Sequence, residues 1–271
     1  MPGRDARLGD GRPPGPAGEA DRPGGGWSTH EAPAKLTLTL RVTGVRADGY
    51  HLLDAEMQSV DLCDTVEIGP GEGVEVRGPT GSGVPVGEDN LVQRALRLVG
   101  RRAAVRLTKR IPPGGGLGGG SSDAAAVLRW AGFEDLEAAV RLGGDVPFCL
   151  RGGRARVRGV GEVVHALPGP AADEVFTLLI PPFAVSTVEV YRRWDALGGP
   201  VGDGPNDLEP AALAVEARLA AWRDRLGEAT GVTPVLAGSG ATWWVPGAYP
   251  GDGRVVVRAL PPAVREEGES R

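Results

Sequence analysis

Hydrophobic and polar residues alternate strictly over residues 35–42. Leu36, Leu38, Leu40 and Val42 fall on one side; Lys35, Thr37, Thr39 and Arg41 fall on the other. A period of two predicts a half-buried strand. Further strand-like runs cover 55–60, 65–68, 74–77 and 104–108, with a loop over 78–87. The period changes behind Asp89-Asn90, where Leu91, Val92, Ala95, Leu96 and Val99 recur at helical spacing and the two polar residues can cap a helix. A helix-forming run follows Asp123 to Trp130, and Asp135 can cap a helix to Leu142. Residues 154–167 read as strands around the turn Gly159-Val-Gly161. Beyond them come a strand at 175–180, a helix at 187–194, a longer helix at 210–226, a strand–turn–strand at 234–245 and a last strand at 255–260. Strand runs and separate helices, with no regular βαβ array, predict an α+β fold.

Composition changes this picture at the ends. Residues 1–30 carry no periodicity and are rich in Gly and Pro, so they read as a solvated tail, and 263–271 read as a charged one. A composition break near 168–173 predicts two domains, 31–168 and 169–262. The net charge of −5 provides no basic footprint, which argues against nucleic-acid binding. The N-terminus lacks a signal-type apolar run and no stretch is long enough to span a bilayer, so no membrane association is expected. Cys63 and Cys149 have no metal-type spacing and fit a reducing, cytoplasmic setting. His30, His51 and His165 are far apart, so no protein-borne metal site is expected. One skew is sharp: of 30 basic residues, all are Arg except Lys35 and Lys109.

The chemistry concentrates in one loop. Six glycines fall within 114–120, followed by Ser121, Ser122 and Asp123. Glycine removes side chains, so successive backbone N–H groups can face an anion, and a following helix adds its positive N-terminal end. A polyphosphate is the natural guest. The loop is not a Walker motif, because Gly120 stands where that motif's lysine would be. Gly114, Gly116 and Gly119 formally meet the dinucleotide pattern, but any glycine run does, and Pro112-Pro113 separates the loop from a leading strand. A flexible loop without a ligand is the bland alternative; a strand before and a helix after argue against it.

Pro112-Pro-Gly-Gly-Gly-Leu-Gly-Gly-Gly-Ser-Ser-Asp123 resembles the phosphate-binding motif of the GHMP kinases. Four further segments agree in order: Ala32-Pro-Ala-Lys35-Leu-Thr-Leu38, Arg46-Ala-Asp-Gly-Tyr-His51, Leu142-Gly-Gly-Asp145-Val-Pro-Phe148 and Ala237-Gly-Ser-Gly-Ala-Thr242. Asn206-Asp-Leu-Glu209 is a weaker match, and the resemblance covers about residues 31–262. It implies an N-terminal domain like the second domain of ribosomal protein S5, a ferredoxin-like C-terminal domain and a cleft between them. It further implies ATP and Mg²⁺ as cofactors. Asp48-Gly-Tyr-His51 selects a member that phosphorylates the 2-hydroxyl of 4-(cytidine-5′-diphospho)-2-C-methyl-D-erythritol, on the methylerythritol phosphate route to isoprenoids. Another GHMP small-molecule kinase, or an inactive nucleotide-binding relative, is the competing reading. A monomer or weak homodimer is expected.

By the same resemblance, Asp145 is the catalytic base and Lys35 its partner. The nucleotide site takes Pro113, Gly114, Gly115, Gly116 and Leu117, then Gly118, Gly119, Gly120, Ser121 and Ser122, with Lys109 leading in. The substrate side takes Tyr50 and His51 at the cytidine end, Tyr191 as a stacking aromatic, and the turn Gly238, Ser239 and Gly240. Thr37 replaces the asparagine usual in the family, with a proposed orienting role. Two segments are short for the family: Ser122 to Asp145, and Thr242 to Val255, where a helix before the last strand is missing.

Overall fold

The structure, a computed structural model, describes residues 26–169 and 174–263. Its first sheet contains β1 (Ser28–Val45), β2 (His51–Gly69), β3 (Gly73–Arg77), β4 (Ala104–Thr108), β5 (Arg154–Gly159) and β6 (Val163–Ala166). The order is β3-β4-β2-β5-β6, with β1 along the other side of β2; only β3 and β4 run parallel. Helices α1 (Leu91–Leu98), α2 (Gly119–Trp130), α3 (Leu136–Ala139) and α4 (Val146–Arg151) accompany this sheet. The second sheet has the order β10-β7-β9-β8, from β7 (Val175–Leu179), β8 (Val235–Leu236), β9 (Trp243–Pro246) and β10 (Arg254–Arg258). Helices α5 (Thr187–Ala196), α6 (Glu209–Val215) and α7 (Arg218–Thr230) come between β7 and β8. This is the ferredoxin-like strand order with no helix in the link from β9 to β10. The α+β expectation agrees with both sheets.

Several local expectations need correction. The expected tail over residues 1–30 runs too far: Ser28–His30 belong to β1, where Ser28 pairs with Ile68. The cause is Trp27, which lies over Gly69 on one side and under the Arg106 guanidinium, 3.9 Å from the ring centre, on the other. Residues 1–25, 264–271 and 170–173, which hold most of the expected tails and part of the expected boundary, lie outside the described residues. The runs at 55–60 and 65–68 are one strand, β2, interrupted by a bulge. Ala34 pairs with Val60 but Pro33 pairs with Cys63, so Asp61 and Leu62 are extra. Asp61 uses that displacement to accept from Arg258 N at 2.8 Å, which ties the two sheets together.

The alternation in β1 is real, yet it does not give one wet and one dry face. A second irregularity between Thr37 and Thr39 reverses the side chains. Leu36 therefore joins a smaller cluster with Phe176, Leu178, Trp244 and Val257 of the second sheet, whereas Leu40 and Val42 join the larger cluster, which draws on both sheets. Lys35 and Thr37 are buried as well, at 5% and 1% exposure, because loops from both halves cover them.

Among the helices, α1 starts as expected, with Asn90 Oδ1 accepting from Val92 N at 2.8 Å. Asp135 caps only the short α3, and the chain then makes α4, which the pattern did not reveal. Residues Val146 to Leu150 are all buried and only the terminal Arg151 is exposed, so α4 has no polar stripe long enough to show a period. The expected long helix at 210–226 is two helices broken at Glu216, whose backbone is extended (φ −134°, ψ 89°). Its carboxylate accepts from Arg218 N at 3.1 Å and so satisfies the start of α7.

Candidate active site

The glycine loop is built by what surrounds it. Leu117 O accepts from Lys35 N at 3.0 Å, Gly115 O from Thr242 N at 3.1 Å and Gly114 O from Val185 N at 3.3 Å. The loop thus leans on both sheets. A Cβ at Gly116 would lie 2.2 Å from Ala237 O, so only glycine allows the third glycine-rich turn to sit against it. Gly118 has φ +67° and precedes α2, whose N-terminal turn faces the cleft. Both ends of the loop are held by one buried cluster. Lys109 Nζ binds Asp64 and, at 2.5 Å, Asp123, while Asp64 Oδ1 accepts from Arg110 N at 2.5 Å and Ile111 N at 2.9 Å.

Asp145 occupies the N-cap position of α4 but makes no capping bond. Pro147 in the first turn removes one donor that a cap would serve. The carboxylate turns instead to Lys35 Nζ at 3.3 Å and keeps 32% of its side-chain surface open. Lys35 Nζ also donates to Thr37 Oγ1 at 3.1 Å. A Cβ at Gly238 would come within 3.2 Å of the same nitrogen. The ammonium is therefore boxed in by β1, the glycine loop and the 238–240 turn.

These groups line one cleft of about 730 Å³. Lys35, Asp145 and the loop from Pro113 to Ser121 share it with Tyr50, His51, Tyr191, Gly238 and Ser239. The His51 ring centre is 4.6 Å from that of Tyr191 at a tilt of 34°, and Trp194 meets it edge-on at 5.6 Å. Burial, with a smaller contribution from the Asp145 charge, pushes the Tyr191 phenol well above its ordinary pKa. Ser239 Oγ pairs with Thr187 Oγ1 at 2.8 Å, which fastens the turn to the start of α5.

Residues 90–153 match the GHMP kinases N terminal domain. A 4-diphosphocytidyl-2-C-methyl-D-erythritol kinase of Paracoccus denitrificans is 42% identical over 235 residues, spanning 78% of this chain and 84% of the relative. The chain belongs to that kinase family. The like-named protein of Ruegeria pomeroyi is 39% identical over 82% of this chain and 88% of its own. A crystal structure of 4-(cytidine 5′-diphospho)-2C-methyl-D-erythritol kinase superposes with a TM-score of 0.62 at 34% identity, covering 80% of this chain and 89% of that one. A homoserine kinase of Cytophaga hutchinsonii, 20% identical with a TM-score of 0.53, shares the fold.

For a GHMP kinase of this family, four of the residues assigned from sequence sit elsewhere than on the cleft wall. Lys109 is 2% exposed and committed to Asp64 and Asp123; it staples the glycine loop from behind. Ser122 is fully buried and donates to Pro33 O at 2.7 Å, so its hydroxyl points away from the loop's open side. Thr37 stands behind Lys35, and Gly240 closes the turn from below, against Leu236 and Leu219. Asn206 and Asp207, the weaker motif, are positioning groups. Asn206 Nδ2 donates to Leu236 O at 2.9 Å and Gly238 O at 2.7 Å; Asp207 accepts from Val42 N at 3.0 Å and Arg41 at 2.6 Å.

Two charged cleft residues escaped the sequence reading. Arg192 lines the cleft without an ion-pair partner among the described residues, and Asp195 lies 2.8 Å from His51 Nε2. Both follow Tyr191 on α5, but nothing in a lone α5 pattern distinguishes them from solvated charge.

Gly118 is the loop glycine seated against Lys35. Alanine there would place its Cβ 2.7 Å from Lys35 Cγ, in a left-handed backbone conformation. Gly118→Ala should therefore cost about 1–2 kcal/mol of stability from the backbone alone and lower turnover by displacing Lys35. Melting curves and ADP release measure the two losses. A variant with unchanged melting and turnover would contradict this seat.

Proposed function

We infer that this chain transfers the γ-phosphoryl group of ATP to the 2-hydroxyl of 4-(cytidine-5′-diphospho)-2-C-methyl-D-erythritol. One observation carries the reading: a lysine–carboxylate pair 3.3 Å apart stands at the open face of a glycine loop, with His51 and Tyr191 in the same cleft. Phosphoryl transfer needs charge neutralisation, in-line placement and a place for the hydroxyl proton. In the proposed step the acceptor oxygen bonds to the γ-phosphorus and the bond from that phosphorus to the β–γ bridging oxygen breaks. ADP leaves, and the hydroxyl proton passes to the Asp145 carboxylate. Lys35 balances negative charge on the transferring group and holds Asp145 in register. The loop N–H groups and the α2 N-terminus hold the phosphates.

Magnesium suits the donor set. Among the described residues no group of three or more His, Cys, Asp or Glu could hold a metal. Ser121 and Asp145 are the side-chain oxygens of the cleft wall beside the loop. A hard cation that takes few protein ligands and fills its shell with phosphate oxygens and water matches this supply. When bound, it would neutralise phosphate charge. Arg192 is the cation we assign to the substrate's diphosphate. The division into an ATP-binding part at 31–168 and a second part at 169–262 belongs to the same proposal, as does a monomeric or weakly dimeric cytoplasmic enzyme.

The deciding experiment incubates the purified chain with Mg·ATP and the cytidine-diphospho substrate and measures ADP release, with homoserine as the control acceptor. Turnover with the cytidine substrate alone is expected; no release above blank would refute the proposal. Lys35→Arg is expected to lower turnover at least about tenfold. The guanidinium is wider than the box formed by Gly118, Thr37 and Gly238, so Asp145 would be displaced. Unchanged turnover would show that the lysine is interchangeable.

A further inference from the structure

The His51 ring is held from three sides, and one of those contacts dictates its chemistry. Tyr191 lies against one face and the Trp194 edge against the ring, while Asp195 Oδ1 sits 2.8 Å from Nε2. Trp194 is itself fixed by its Nε1 donating to Pro200 O at 3.1 Å. Tyr191 and Asp195 are one helical turn apart on α5, so both reach the same side of the cleft. Nδ1 has no protein partner among the described residues and is not among the buried unpaired atoms. The ring lines the cleft with 12% of its side chain exposed.

A carboxylate only accepts hydrogen bonds. The Asp195 contact therefore requires a proton on His51 Nε2. In neutral imidazole that leaves Nδ1 as an acceptor. We propose that Asp195 is a specificity-determining positioning residue: it fixes His51 as the Nε2–H tautomer, so that Nδ1 accepts from the exocyclic amine of cytosine and opposes the carbonyl of uracil.

This inference rests on the reading that the cleft takes a cytidine substrate. Cytosine presents an amino donor at C4, where uracil presents an acceptor. An Nδ1 lone pair attracts the first and repels the second. Without Asp195 no group among the described residues holds the proton on Nε2. The ring can then place it on Nδ1 and donate to the uracil carbonyl. Discrimination falls while the phosphoryl-transfer groups at Lys35 and Asp145 stay in place.

The test has two arms. The first needs no substrate: two-bond ¹H–¹⁵N correlation of the histidine rings at about pH 8, with His51 assigned by its loss in His51→Asn. The wild type should show His51 protonated at Nε2, and Asp195→Ala should show a mixture of tautomers. The second arm compares cytidine- and uridine-diphospho substrates under saturating ATP. Asp195→Ala should raise KM for the cytidine substrate and lower the cytidine-over-uridine ratio of kcat/KM, each about tenfold, the scale of one directed hydrogen bond. Its kcat and its KM for ATP should not move. Asp195→Asn, whose amide oxygen can still accept, should recover part of the ratio. Asp195 is half exposed, so these variants should fold normally. A His51 ring protonated at Nδ1 in the wild type, or an unchanged ratio in Asp195→Ala, overturns the proposal. If the wild type turned over neither substrate, the functional reading would fall; the tautomer arm would still decide whether Asp195 sets the ring.

Discussion

Asp145→Asn is expected to bind Mg·ATP as tightly as the wild type and to turn over at least about 100-fold more slowly, the usual scale for a positioned base. Asparagine has nearly the same shape. Its amide oxygen can still accept from Lys35 Nζ, so the 3.3 Å contact that shapes the site has a substitute. What it cannot do is take up the hydroxyl proton. Neither can it act through the N-cap of α4, because the native carboxylate makes no capping bond there. Stability should therefore change little, which separates a chemical loss from a structural one. Calorimetric ATP titration, melting and ADP release measure the three quantities. Near-wild-type turnover, or a loss accompanied by weak ATP binding, would remove Asp145 from the role of base.

The second large effect concerns stability. Lys109→Met should destabilise the protein by about 3–5 kcal/mol, because it leaves two buried carboxylates facing each other without their cation. Asp64 is fully buried and Asp123 is 2% exposed, and Asp123 Oδ1 is already buried without a hydrogen-bond partner. In the native protein burial pushes the Asp123 carboxyl above the usual carboxylate range; Lys109 pulls it down and Asp64 pushes it up. A folded-state pKa raised in this way means that the folded chain binds the proton more tightly than the unfolded one. The associated stability is complete below the unfolded value and is lost as pH rises through the folded value. Removing the ammonium strengthens that trend. Urea unfolding should show the deficit of Lys109→Met to be larger at about pH 8 than at about pH 5. An equal deficit at both pH values would show that packing, not charge, is what Lys109 supplies.

Lys109 also shows where sequence reasoning stops. A scarce lysine leading into a phosphate loop reads as a phosphate ligand, and no local pattern reveals that Asp64 and Asp123 meet it from 45 and 14 residues away. The α+β class, the first strand and the capped α1 were legible, because each depends on a local period and one cap. The continuity of β2 was not, since the bulge at Asp61 and Leu62 breaks the alternation that would have announced it. A short helix such as α4, buried at every position but its last residue Arg151, has too little contrast to announce a face. Glu216 breaks a helix with neither Gly nor Pro, by offering its own carboxylate to the next helix. At the site, motif order singled out Lys35, Asp145 and the glycine loop. Which way the Asp145 carboxylate turns, into the cap or toward Lys35, depends on a strand more than a hundred residues upstream. Asp195 reaches His51 across 144 residues, a pairing that only the folded chain displays.

The whole chain contains two lysines, and both are buried, at 5% and 2% exposure. Its outer surface therefore carries no lysine amine at all, although it is rich in guanidinium. Acylating enzymes, active esters and aldehyde cross-linkers that select side-chain amines have nothing to grip on the closed molecule. Lys109 is sealed between two carboxylates, whereas Lys35 borders the cleft. Covalent labelling of this protein at lysine is thus a reporter of a single event, the uncovering of the Lys35 ammonium, and a nucleotide seated on the glycine loop would act as its shield.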